Sequence, residues 1–195
     1  MRVLTVALAA VALLSSANSV HAQAKVGQKA PTFSKLSGTL GGQKDITMSS
    51  SDFKGKVTAL IITCNHCPVA VRYEDKIIKL AEKYSENNKV GVVAINVNNL
   101  EADKLPAMKV RAKAKGFNFP YLYDPSQKIA RALGARVTPE FYVIDAKGTL
   151  VYHGAMDQRG KGSNFVDLAI QATLNGETPK TQNTRAFGCS VKYQR

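Results

Sequence analysis

Tryptophan is missing from this 195-residue chain, and cysteine and histidine are scarce, with three of each. Three cysteines exclude a small scaffold held by several disulfides, and with the three histidines they show no zinc-finger spacing. Aromatic residues make up 7% of the chain and do not interleave with basic ones. Acidic residues are the minority charge, 14 against 27 basic, for a formal net charge of +13. Because no single basic block collects that excess, it reads as solubility and loose attraction to acidic partners, and nucleic-acid binding is not expected. Long apolar runs are missing too: Val3–Leu14 is the longest candidate, and it falls short of the ~20 residues a membrane-spanning helix needs. No internal repeat or low-complexity segment appears, so a repeat array is excluded.

What is present begins with a leader. Arg2, the apolar run after it and the small-residue end Val20-His21-Ala22 have the layout of an export signal over residues 1–22, with a mature start at Gln23. The protein is therefore expected to be periplasmic or secreted. No cysteine stands near the cleavage point to carry a lipid, and no stable membrane anchor is expected. The rest is long enough for one domain with a substantial core, and the 45% hydrophobic content fits a globular fold. We set that domain at residues 23–175, followed by a tail, 176–195, whose polar stretch Gly176–Arg185 resembles a linker and which carries Cys189.

Apolar runs of strand length alternate with helical periodicity. Val57–Ile62 and Val90–Val97 read as buried strands, and between them Ala70, Tyr73, Ile77, Leu80, Ala81 and Tyr84 recur at helical spacing. A second helix is expected over Ala102–Lys115, ending at Gly116, and a short strand over Tyr121–Tyr123. Asp124, with Pro125 and Gln127, has the signature of a helix cap for an element ending by Gly134. Phe141–Ile144 and Leu150–Tyr152 flank Asp145-Ala146-Lys147-Gly148 as a hairpin. Ser163 is the expected cap of a last helix presenting Phe165, Leu168, Ala169 and Ala172. Helical crossovers imply parallel strands and the hairpin an antiparallel one, so the expected architecture is an α/β sandwich around a mixed central sheet.

The chemistry concentrates at Thr63-Cys64-Asn65-His66-Cys67-Pro68. A zinc site there needs further ligands, and only Cys189, His66 and His153 remain to supply them. A purely structural disulfide gains little across so short a loop. A redox dithiol is the best reading, because the pair falls between a buried strand and a helix, where unpaired N–H groups and the helix dipole favour a thiolate.

With this centre the chain resembles the thioredoxin-like superfamily, in its redoxin branch related to alkyl hydroperoxide reductases and exported thiol-disulfide proteins. The similar segments are Val26–Phe33 (VGQKAPTF), Ser51–Val57 (SDFKGKV), the TCNHCP motif and Val137–Asp145 (VTPEFYVID). The resemblance implies a thioredoxin-like α/β/α sandwich with an N-terminal redoxin-type extension. It makes Pro139 a cis proline against the active site, with Thr138 before it pairing with an extended substrate. His66, third in the motif as in Dsb-type oxidases, is implied to stabilise the Cys64 thiolate. The chain departs from the family by having Thr63 where thioredoxins have tryptophan. It also has no acid on Val57–Ile62, and Glu74, the nearest substitute, reads as a solvated helix charge. Ile61, three residues before Cys64, breaks the peroxiredoxin pattern.

Together these readings give a monomeric, exported thiol-disulfide oxidoreductase with antioxidant-family kinship. Cys64 is its nucleophile, Cys67 the resolving cysteine, His66 the tuning residue and Thr138-Pro139 the substrate groove. No organic cofactor and no metal are implied. Its partners are cysteine-containing exported proteins and a donor or acceptor that decides whether it oxidises or reduces. Two alternatives stay open: a copper(I) carrier using Cys64 and Cys67 with His153 or Cys189, and a thiol-dependent peroxidase. Cys189 is either a buried thiol on a docked tail or a third redox residue exchanging with Cys64. Asp157 and Arg159 read as a loop charge pair.

Overall fold

The computed structural model describes residues 23–194, so the expected leader lies outside the described residues. An N-terminal hairpin comes first, β1 (Leu36–Leu40) and β2 (Lys44–Met48), turning at Gly41 and Gly42, which both have positive φ. Every residue of β3 (Val57–Thr63) is buried, and this is why its sequence is a continuous apolar run without alternation. Then follow α1 (Pro68–Lys83), β4 (Val90–Asn96), α2 (Leu105–Lys115), β5 (Pro120–Tyr123) and α3 (Lys128–Leu133). The short β6 (Val137–Thr138) leads into β7 (Glu140–Ile144), β8 (Leu150–Gly154), α4 (Phe165–Leu174) and a last strand, β9 (Cys189–Ser190).

Seven strands form one mixed sheet in the order β2-β1-β5-β4-β3-β7-β8, while β6 and β9 pair separately. β3, β4 and β5 run parallel through the α1 and α2 crossovers; the pairs β1–β5, β3–β7 and β7–β8 are antiparallel. Successive side chains of β3 serve opposite layers. Ala59 and Ile61 meet α1, α2 and α4 through Tyr73, Ile77, Met108, Val166 and Ile170. Leu60 and Ile62 meet α3, the N-terminal segment and the tail through Ile129, Leu133, Phe33 and Val191. Each large apolar side chain so buried stabilises the fold by about 1.5–3 kcal/mol. The molecule is the thioredoxin-like α/β/α sandwich implied by the resemblance.

Several element boundaries differ from the expectation, each for a local reason. α2 begins at Leu105, because Glu101–Asp103 closes a separate 3-10 turn before Pro106 enters the helix. Asp124 organises a turn and not a helix start: its carboxylate accepts from Ser126 N (3.0 Å) and Ile129 N (3.0 Å), and Gln127, at φ 59°, separates it from α3. Asn164, not Ser163, caps α4 by accepting from Asp167 N at 3.0 Å. The inward face of α4 is Val166, Ala169 and Ile170, with Leu168 51% exposed. Both stripes have helical spacing, and contact with β3 and β7 selected between them. The hairpin β1–β2 is not expected from sequence because the buried positions of β1 are Gly38 and Thr39 and β2 has no buried residue, so neither strand carries an apolar run.

Gly176–Arg185 is polar, yet it pairs along the β8 edge: His153 N donates to Gln182 O (3.0 Å) and Thr184 N to His153 O (3.1 Å). A Cβ at Gly154 would stand 2.3 Å from Thr184 Oγ1, so the absent side chain permits this approach. The segment is therefore a bound edge and not a free linker, and it delivers the last residues back to the centre of the molecule.

Candidate active site

β3 ends at Thr63 and α1 starts at Pro68, so the motif spans the strand-to-helix junction. Proline suits the first helical position, where its missing N–H is no loss. That placement makes Cys67 the N-cap residue, its Sγ accepting from Ala70 N at 3.5 Å. The sequence reading put the first sulfur at the helix terminus, and the structure puts the second there. Both cysteines are buried, with Cys64 2% and Cys67 0% exposed, and all three cysteines carry free thiols.

Thr138 joins the two sulfurs. Cys64 Sγ lies 3.1 Å from its Oγ1, and the Cys67 thiol donates to its carbonyl oxygen at 3.2 Å. The Thr138–Pro139 peptide is cis, as the resemblance implies. Thr138 is also paired with the chain's own tail, opposite Cys189 in the β6–β9 ladder. The backbone position assigned to an extended substrate is therefore filled from within.

The electrostatics order the acidity of the two thiols opposite to the expectation. Burial pushes the Cys64 thiol up to about 12, with the Asp103 carboxylate adding to the effect and the Thr138 hydroxyl offsetting part of it. Burial also pushes Cys67 up, but the hydrogen bonds its sulfur accepts from the Cys189 thiol and from the Ala70 and Cys189 amides outweigh it. Cys67 is left below its ordinary value. With the tail docked, Cys67 is the more acidic of the two.

His66 does not act alone. Its Nδ1 is paired with Asp103, which is 0% exposed and also accepts from Asn65 N at 2.7 Å and Asn96 Nδ2 at 3.2 Å. Asn65 is fixed in turn, donating to Ala102 O at 2.7 Å and accepting from Tyr121 OH at 2.8 Å. One ligand atom each of Cys64, His66 and Asp103 lie within 4.8 Å of one another. The buried acid missing from β3 thus arrives from the 3-10 turn before α2. Sequence reasoning missed Asp103, because it is 37 residues from His66 and sits in no motif.

Glu74, read from sequence as solvated, is 6% exposed and held by Arg111 through two hydrogen bonds of 2.9 and 2.7 Å. It is an ion pair between α1 and α2, not a proton acceptor for the thiols. His153 is paired with Glu140 and stacked on Tyr142, with ring centroids 4.8 Å apart. Burial raises the Glu140 carboxyl, and the His153 ring with the Arg136 and Val137 amides brings it below its usual value. Asp157 and Arg159 do not pair: Asp157 accepts from Tyr73 OH (2.6 Å) and Lys76 Nζ (2.5 Å), while Arg159 lies over the Phe187 ring.

A model of the Redoxin family matches residues 25–168. No curated protein matches the chain. Among solved structures, it is similar to an uncharacterized conserved protein from Geobacillus kaustophilus, with 31% identity, a TM-score of 0.79, and coverage of 87% of this chain and 93% of that one. A hypothetical protein from Sinorhizobium meliloti 1021 gives 29% identity and a TM-score of 0.76, covering 89% and 97% of the respective chains. A thiol:disulfide interchange protein of the thioredoxin family from Chlorobium tepidum TLS shares the fold at 22% identity and a TM-score of 0.59, over 78% of this chain and 99% of its own.

Proposed function

The chain belongs to the Redoxin family, and from that premise we propose that it is a thiol-disulfide oxidoreductase whose redox couple is Cys64–Cys67. One observation carries the reading: both sulfurs converge on Thr138, at 3.1 and 3.2 Å, at a strand-to-helix junction where hydrogen bonds from the Cys189 thiol and the Ala70 amide lower Cys67. A low-pKa thiol next to a second sulfur is what exchange requires, since the thiolate is the nucleophile and also the better leaving group. Closing the Cys64–Cys67 bond delivers two electrons to a partner disulfide. The Cys64 proton leaves toward His66, which Asp103 orients. His66 in this reading receives a proton and is a positioning element of the pair with Asp103; the Asp103 charge opposes a standing thiolate at Cys64.

We place the protein outside the cytoplasm, periplasmic or secreted after loss of residues 1–22, acting as a monomer on cysteine-containing exported proteins. The partner's potential sets the direction of electron flow. Thr138 and Pro139 shape the groove that the tail now fills. The copper alternative loses a ligand, since His153 is committed to Glu140. Cys189, the other candidate third ligand, stays beside Cys67; the potential ligand group around Cys64 is completed by His66, itself paired with Asp103, and by Asp103, a hard oxygen donor unlike the soft ligands copper(I) favours. A thiol held up to about 12 also suits peroxide attack poorly.

The test is a titration of the mature protein in glutathione redox buffers, with trapped thiols mapped by peptide mass, alongside an insulin-reduction assay. The expected result is a Cys64–Cys67 disulfide with a defined midpoint and activity lost in Cys67→Ser. Failure of that disulfide to form at any glutathione ratio would sink the proposal.

A further inference from the structure

Cys189 is the one cysteine of the three that is only half-buried. It sits in register with Thr138, its N–H donates to Cys67 Sγ at 3.4 Å, and its thiol hydrogen-bonds the same sulfur. The contact is built by the whole tail. Val191 N donates to Arg136 O at 3.0 Å, Lys192 N to Asn98 Oδ1 at 2.8 Å, Gln194 N to Gln127 Oε1 at 2.7 Å and Tyr193 OH to Ala135 O at 2.6 Å. Immediately before the cysteine, a Cβ on Gly188 would stand 2.0 Å from Thr138 O, so only glycine lets the strand lie this close. An external chain cannot reach Cys67 past β9, and the sulfur it meets first belongs to β9 itself.

Resting on the reading of Cys64–Cys67 as the redox couple, we propose that Cys189 is a third redox residue that meets the partner and exchanges with Cys67, through a Cys67–Cys189 disulfide. In the reducing direction, Cys67 takes the Cys189 proton as Cys189 attacks one sulfur of the partner's disulfide; because their contact raises Cys189 and lowers Cys67, the proton moves with the attack and not ahead of it. The partner's S–S bond breaks, and its other sulfur leaves as a thiolate. Cys67 then attacks Cys189 Sγ: the Cys67–Cys189 bond forms, the bond to the partner breaks, and the second partner sulfur departs with the proton Cys67 had received. Finally Cys64 gives its proton to His66 and attacks Cys67 Sγ, closing Cys64–Cys67 and expelling Cys189 as a thiolate, which takes a proton from water as His66 returns one to solvent. Two electrons have passed from the Cys64–Cys67 dithiol to the partner disulfide, and the reverse sequence oxidises a partner dithiol.

The relay differs from the exchange between Cys189 and Cys64 considered from the sequence. Cys64 is bonded to the Thr138 hydroxyl, on the side of the junction where Asp103 and His66 stand, while Cys189 faces the helix-capping sulfur.

The experiment uses oxidised glutathione as the partner disulfide and the full mature chain, quenched in acid and mapped by peptide mass. One equivalent added to reduced Cys64→Ser protein should yield Cys67–Cys189 as the main intramolecular disulfide. In single turnover, Cys189→Ser should form Cys64–Cys67 at least tenfold more slowly than the parent. A Cys189→Ala variant repeats the measurement should serine disturb the tail. Glutathione on Cys67 with Cys189 free in the Cys64→Ser protein, or a Cys189 variant reacting at the parental rate or faster, overturns the relay. That failure is distinct from failure of the underlying activity, in which the parent itself forms no Cys64–Cys67 disulfide.

Discussion

Replacing Gly188 by alanine should open the site without touching a sulfur. The new Cβ would stand 2.0 Å from the Thr138 carbonyl oxygen and 2.7 Å from its carbon. Neither atom can yield, because Thr138 is 0% exposed and packed between the two active-site sulfurs. β9 must lift instead. Overpacking of this kind costs about 1–3 kcal/mol, and at 1.4 kcal/mol per decade that raises the population with an undocked tail roughly 5- to 140-fold. Cys67 is fully covered in the docked state, so its alkylation by iodoacetamide should accelerate by a similar factor. Undocking also removes the Cys189 hydrogen bonds that lower Cys67. The comparison therefore belongs on the alkaline side of an ordinary thiol pKa of ~8.5, where that loss matters little. Amide hydrogen exchange at Cys189 and Val191 reports undocking independently, and Ser190→Ala, at an exposed position of the same strand, is the control. Parental alkylation of Cys67 together with parental amide protection in Gly188→Ala would refute the idea that this close approach keeps the site closed.

Cys64 should make the protein less stable at alkaline pH. Its folded pKa of about 12 lies above the unfolded value near 9.0, so the unfolded chain releases the proton first and stability falls as pH rises through that window. Urea unfolding of the parent should lose on the order of 3 kcal/mol more than Cys64→Ala between about pH 8 and about pH 11; equal pH dependence in the two proteins would show that Cys64 is not so perturbed. The Glu74–Arg111 pair gives a further check. Arg111→Met leaves a carboxylate that is 6% exposed without its partner and should cost about 3 kcal/mol, most of it recovered in Glu74→Gln/Arg111→Met. A double variant no more stable than the single one would mean that Glu74 is not the source of the loss.

The sequence by itself determined the features that depend on near neighbours. β3 and β4 are legible because burial on both faces demands unbroken apolar runs, and α1 because Tyr73, Ile77 and Leu80 must share one face. The ends at Gly116 and Gly134 are legible because each takes positive φ, 66° and 75°. The motif between a strand and a helix located the dithiol, and Pro139 marked the chain that passes beside it.

Tertiary structure decided everything that depends on which distant groups approach that motif. Which sulfur is the more acidic follows from the Cys189 thiol and the Ala70 amide at Cys67, a covered Cys64 and a carboxylate brought in from Asp103; none of these is a property of the hexapeptide alone. Glu74 and Arg111 looked like two surface charges until α1 and α2 packed together. The polar stretch Gly176–Arg185 looked free because it pairs through its backbone, which leaves no apolar signature in its side chains. Cys189 lies 122 residues from Cys67, and only the folded tail closes that distance to a hydrogen bond. A local pattern can specify a conformation, but a sulfur's acidity and its next partner are set by the electrostatics of atoms that folding alone brings within a few ångströms.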